Sequence, residues 1–269
     1  MKILALSDFC VDIFPQSGKI LSGGNALNLA VCCKRAGAEV FVMGNIGKDK
    51  YGAVLKKAMD KNGLNREKVY EVEGKTARQI IHIDEKGDRY FKEGSWHGGV
   101  FDIFRIKEND KKFLNSMDAV ATTIGEPDFE NIVFSLNRDK RPLFSVDFHD
   151  IALNRKNEKY FPYIDIFAVS GKKQETPVFH ETLKTWSEKY KTVFIATLGE
   201  KGSAAYKNGK KFICGARKVK KVVDTTGCGD SYRAGFIMEY FKSGDIKKAM
   251  EKGSDFAAIT LSHLGGFKQ

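Results

Sequence analysis

Short apolar runs recur along the chain, each closed by polar or turn-forming residues: Lys2–Leu6, Val40–Met43, Ala119–Thr123, Leu143–Val146, Ile164–Val169 and Val193–Leu198. Continuous runs of this kind mark strands covered on both faces, as in a parallel sheet. Between the second and third, Val54, Leu55, Ala58 and Met59 recur at helical spacing, with Gly63 as the predicted stop. Near the C-terminus, Ser231–Phe241 predicts a helix ended by Gly244. Asp245 then caps another that runs toward Leu261. Strand and helix alternate, which predicts an α/β fold with a doubly wound, mostly parallel central sheet flanked by helices.

One stretch departs from that rhythm. Val69–Glu73, Gln79–Ile83 and, after the turn-forming Asp84–Asp88, Arg89–Phe91 read as short antiparallel strands with a hairpin. They predict a small antiparallel β lid built from segments near residues 9–21 and 69–99, on a single domain spanning 1–269. An exposed lid sheet also offers edges for a homodimer.

Composition narrows the class. With 269 residues, 42% of them hydrophobic, the chain can bury one large core. No apolar run approaches the roughly 20 residues of a membrane span, and the N-terminal run is too short for a secretory leader. A soluble protein without a membrane partner is expected. The five cysteines form neither a C-x-x-C pair nor a repeating framework, which fits free thiols and a cytoplasmic location. The net charge of +11 is spread over lysine pairs mixed with acids, so solvated faces rather than a nucleic-acid surface are expected.

The chemistry concentrates in two glycine turns. Asp224-Thr225-Thr226-Gly227-Cys228-Gly229-Asp230-Ser231 follows a strand-like Lys221–Val223 and opens a helix. Main-chain N–H groups at such a turn, together with the helix N-terminus, suit a phosphate. A carboxylate at the end of the turn suits a hydroxyl that attacks that phosphate, giving Gly227, Cys228 and Gly229 as an anion hole and Asp230 as general base. The residues alone leave a helix cap open as the alternative for Asp230. The second turn, Ser22-Gly23-Gly24-Asn25-Ala26-Leu27-Asn28, places an amide side chain in the first turn of a helix, where it can meet sugar hydroxyls. Asp12 and the Gly44–Gly52 loop also fall after predicted strands, where ligand loops gather.

These segments, with Thr197-Leu198-Gly199-Glu200-Lys201-Gly202, resemble in order and placement the motifs of the ribokinase-like (PfkB) carbohydrate kinases. The resemblance covers essentially the whole chain. It implies ATP and magnesium, with Asp230 as base and Gly227, Cys228 and Gly229 as anion hole. It further implies Asp12, Gly23, Gly24 and Asn28 at the sugar, Thr197, Gly199, Gly202 and Thr226 at the nucleotide, and Asp224 near a monovalent cation. Cys228 stands where alanine is usual, and Ser170-Gly171-Lys172-Lys173-Gln174-Glu175 replaces an Asn-x-x-Glu motif, leaving Glu175 for the metal. The run Asp8–Gln16 is similar to members that act on fructosamines, which implies the 6-hydroxyl of fructoselysine or a related compound. Arg78 or Arg89 of the lid is expected to reach that substrate. Another sugar or nucleoside kinase, or a non-catalytic sugar-responsive or nucleic-acid-binding protein on this scaffold, is the alternative. No G-x-x-x-x-G-K-[ST] or H-E-x-x-H motif occurs.

Overall fold

The computed structural model describes residues 1–136, 141–151 and 153–269. A nine-stranded sheet has the spatial order β15-β14-β13-β12-β11-β10-β1-β4-β5. Its strands are β1 (Lys2–Leu6), β4 (Glu39–Gly47), β5 (Asn65–Val72), β10 (Ala119–Thr123), β11 (Leu143–Asp147), β12 (Ile166–Ser170), β13 (Val193–Thr197), β14 (Ser203–Lys207) and β15 (Lys210–Cys214). All pairings are parallel except those of β14 with β13 and with β15. Both faces are covered: Ile3 and Ala5 point into one buried cluster, Leu4 and Leu6 into the other. The central strands therefore read as unbroken apolar runs.

The first cluster is closed by α1 (Asn25–Arg35), α6 (Cys228–Ser243) and α7 (Ile246–Thr260). Asp49 caps α2 (Lys50–Lys61) by accepting from Gly52 N–H at 2.8 Å, and Gly63 follows in the left-handed region. On the opposite face, α3 (Glu108–Asn115), α4 (Phe129–Ser135) and α5 (Pro177–Lys189) cover an aromatic core in which Phe148 stacks on Phe167 at 4.1 Å. Gly244 ends α6 in the left-handed region, and Asp245 caps α7 by accepting from Lys248 N–H.

Two expectations need correction. Val69–Glu73 is not part of the lid: β5 pairs in parallel with β4 and is the edge strand of the main sheet. Its half-exposed alternation is what an edge strand shares with a lid strand. Lys221–Val223 is not a strand; Val223 N–H is taken by Leu261 O at 2.8 Å in an irregular connection. The lid itself is a separate four-stranded sheet, β3-β2-β6-β9, formed by β2 (Cys10–Phe14), β3 (Lys19–Gly23), β6 (Arg78–Ile80) and β9 (Trp96–His97). Its pairings are antiparallel except β2 with β6. A hairpin of β7 (His82–Ile83) and β8 (Arg89–Tyr90) projects from it.

Candidate active site

In the main sheet the chain steps from β1 to β4 on one side and returns at β10 on the other, so the order reverses at β1. A crevice outside the carboxyl ends is expected there. A cavity of about 270 Å³ lies at that place. Asp8 reaches it from the end of β1, Thr123 and Gly125 from β10, His149 from β11, and Gly24, Asn25 and Asn28 from the start of α1. The lid closes it with Asp12, Gln79, Ile81, Arg89, Phe91 and Trp96.

The two glycine turns meet at its floor. Asn28 Nδ2 donates to Asp230 Oδ2 at 2.9 Å, and both side chains are buried. The cap of α6 is Gly227, at φ +75°, so Asp230 sits in the first turn and does not serve as the cap. An added Cβ on Gly227 would strike the backbone of Gly266, which explains why that turn requires glycine. Gly229 by contrast has open space beside it. First-turn N–H groups lack carbonyl partners within their own helix, so this end of α6 can receive an anion. Cys228 N–H makes a long 3.3 Å bond to Thr225 O.

Electrostatics set the acids of the floor. Burial, then the neighbouring Asp147, push the Asp230 carboxyl up to about 6, against the Asn28 hydrogen bond and the charges of Arg233 and Arg89. Burial pushes Asp12 up to about 7, against a hydrogen bond from the Cys10 thiol. Gly23 lets Asp12 sit there, because a Cβ would overlap the carboxylate. Asp12 Oδ2, Asn28 Oδ1 and Thr226 Oγ1 are buried without hydrogen-bond partners, although all three residues line the cavity. Buried acceptors are costly to leave unpaired, and a polyhydroxy ligand would satisfy them.

Other expected residues lie elsewhere. Arg78 does not line the cavity; successive strand residues face opposite ways, and its neighbour Gln79 takes the inward position. Thr197, Gly199 and Gly202 lie outside the cavity, at the carboxyl end of β13. There Gly199 and Gly202 turn at positive φ and Leu198 N–H donates to Gly202 O at 2.7 Å. Asp224 is fully buried, with its two oxygens accepting from Thr226 N–H and Gly265 N–H, each at 2.8 Å. Its carboxylate fastens the loop. Glu175 pairs with Lys201 at 2.7 Å and with His180 at 3.3 Å, and Gln174 Nε2 donates to Ser170 O. With Glu175 engaged by Lys201 and His180, these side chains do not fit a protein-held magnesium site, and no cluster of three or more His, Cys, Asp or Glu among the described residues is arranged to hold a metal.

Sequence reading missed Asp8, His149, Asp147 and Arg233. Ser7, Asp8 and His149 adopt positive φ of 57°, 54° and 54° at the carboxyl ends of β1 and β11, a strained backbone of the kind found at functional sites. Arg233, one turn beyond Asp230 and 2% exposed, lies 3.3 Å from Asp147, whose other oxygen accepts from His149 N–H. An arginine followed directly by the apolar and small residues Ala234 to Met238 in α6 was the available signal.

The pfkB family carbohydrate kinase model matches residues 11–123 and 160–267. The chain belongs to that family. This carbohydrate kinase is 32% identical over 271 residues to the fructoselysine 6-kinase of Escherichia coli, covering 99% of this chain and 100% of that enzyme. It is 28% identical to a fructosamine kinase of Bacillus subtilis, across 99% and 93% of the two chains. Its fold matches Arabidopsis thaliana ribokinase, solved with ribose and ATP, at TM-score 0.83 and 18% identity over 98% of this kinase and 93% of that chain. The lid and doubly wound sheet are thus those of ribokinase-like proteins.

Proposed function

We propose that this carbohydrate kinase transfers the terminal phosphoryl group of ATP to the 6-hydroxyl of fructoselysine or a related fructosamine. The 2.9 Å bond between Asn28, which lines the cavity, and Asp230, buried behind it in the first turn of α6, carries the reading. A base tied to a sugar-side amide on one hand and to an anion-receiving helix end on the other joins the two substrates. The names of the relatives from Escherichia coli and Bacillus subtilis support the fructosamine assignment.

In the proposed mechanism Asp12, Gly24 and Asn28 hold the sugar hydroxyls, and Asn28 keeps the Asp230 carboxylate turned toward the alcohol. Asp230 accepts the alcohol proton as the oxygen attacks the γ-phosphorus. The N–H groups of Gly227 to Gly229 stabilise charge on the phosphoryl oxygens. Thr197, Gly199 and Gly202 are assigned to the nucleotide. Magnesium usually keeps several waters and leans on substrate phosphates, so it would enter with the nucleotide rather than on Glu175. The open edges β3 and β9 of the lid sheet fit a homodimer, which sedimentation at rising concentration tests.

The deciding assay is ADP release, coupled to a detector, over fructoselysine, other fructosamines, fructose, ribose and nucleosides. Highest kcat/KM on a fructosamine is the expected result. A clear preference for ribose or a nucleoside would replace the substrate assignment.

A further inference from the structure

Arg89 is the only lysine or arginine among the residues lining the cavity, whose wall carries the acids Asp8 and Asp12, with Asp230 buried behind the lining Asn28. Its guanidinium rests over the Phe91 ring, 5.3 Å from the centroid, and forms no ion pair among the described residues. A guanidinium this close to acids yet paired with none is available to a ligand.

Its backbone is placed with more care than an exposed hairpin needs. Arg89 N–H donates to Thr225 Oγ1 at 3.0 Å, and Thr225 N–H donates to Gly87 O at 3.1 Å. Asp88 pairs with Lys172 at 2.7 Å, and Gly87, at φ +83°, lies so close to Val222 that a Cβ would come within 2.9 Å of its carbonyl oxygen. Thr225 is two residues before Gly227. The hairpin is therefore registered against the loop that forms the anion site, and not merely against the sugar side of the cavity. The Arg89 charge is also felt on the anion-site side, where it lowers the pKa of both the Cys228 thiol and the Asp230 carboxyl.

The geometry points to Arg89 as a catalytic residue that binds the non-bridging oxygens of the phosphoryl group in flight, opposite the Gly227–Gly229 amides. The inference rests on the roles proposed above for Asp230 and those amides. In the transfer, the substrate oxygen forms its bond to the γ-phosphorus while the bond from that phosphorus to the bridging oxygen breaks. ADP leaves with the electron pair, and the alcohol proton goes to Asp230. Arg89 donates hydrogen bonds throughout and exchanges no proton. Charge spread over the moving group is what a guanidinium brought by a separate element stabilises. Asp230 and Asp8 make such a cation more necessary, because they add negative charge beside an already anionic group.

The test compares Arg89→Met and Arg89→Lys with wild type, using a fructosamine and ATP. Arg89→Met should lower kcat about 10²- to 10³-fold, with the sugar KM changed far less and Arg89→Lys intermediate. ADP with fluoroaluminate, a mimic of the group in flight, should bind wild type much more tightly than ADP alone when sugar is present, and Arg89→Met should lose that gain. Millimolar guanidinium restoring part of the turnover of Arg89→Ala would add support independent of hairpin folding. A raised sugar KM at near-normal kcat, or a retained fluoroaluminate gain in Arg89→Met, overturns the inference. Asp230→Asn measured in parallel separates the two readings: normal turnover there removes the base assignment, whatever Arg89 does.

Discussion

The floor and the lid of the cavity are built in opposite ways. Asn28 and Asp230 on the floor are 3% and 4% exposed and lie among backbone turns that leave no room for a side chain at Gly23, Gly227 and Gly266. Phe91 and Trp96 of the lid are 50% and 40% exposed and hang on strands only two or three residues long. Packed groups hold one geometry, whereas short exposed strands open at little cost. The floor is therefore the part of the site that holds one geometry, and the lid the part that opens.

The largest effect expected is on the floor. Asp230→Asn should keep the fold, judged by circular dichroism, yet lose about two or more orders of magnitude in kcat; near-normal turnover would break the contrast at once. Gly227→Ala should destabilise the protein by about 1–3 kcal/mol in urea, because it sets a side chain at positive φ against Gly266. In the lid, Trp96→Ala should raise the sugar KM about tenfold with a smaller change in melting temperature than Gly227→Ala, since it removes an exposed ring packed edge-on at 5.5 Å against Phe101. Next comes pH. A base raised to about 6 must lose its proton to act, so kcat/KM should fall below that pH. Asn28→Ala removes a bond that lowers the Asp230 pKa, and should move this acid limb to higher pH.

The smallest effect concerns Glu126, a buried acid next in the chain to the cavity-lining Gly125. Burial pushes Glu126 from 4.5 up to about 8, so its ionisation opposes folding. Its contribution is complete below pH 4.5 and lost as pH rises through 8. Glu126→Gln should accordingly melt a few degrees higher than wild type above pH 8, with the gain absent in acid.

Much of the frame could be read from residues because the central strands are buried on both faces and announce themselves as apolar runs. β5 could not be placed, since an edge strand with one wet face alternates as a lid strand does. The glycine turns revealed the floor because backbone approach restricts residue type so strongly. Arg78 and Arg89 were indistinguishable in the sequence: which of two lid arginines faces inward depends on a strand register that no local pattern encodes. Asp8 and His149 were hidden for a similar reason. Their importance comes from sheet order, which brings the ends of β1 and β11 beside β10.

The fastening of the hairpin to Thr225 and Lys172 also bears on turnover. Lys172 and Asp88 are 51% and 40% exposed, so their pairing is worth little, and water can replace each clasp in turn. If the same clasp spans the cavity once phosphate has moved, neither product escapes until it lets go. A grip made of weak, separately breakable contacts holds long enough for a chemical step and then yields, which favours quick release over tight retention.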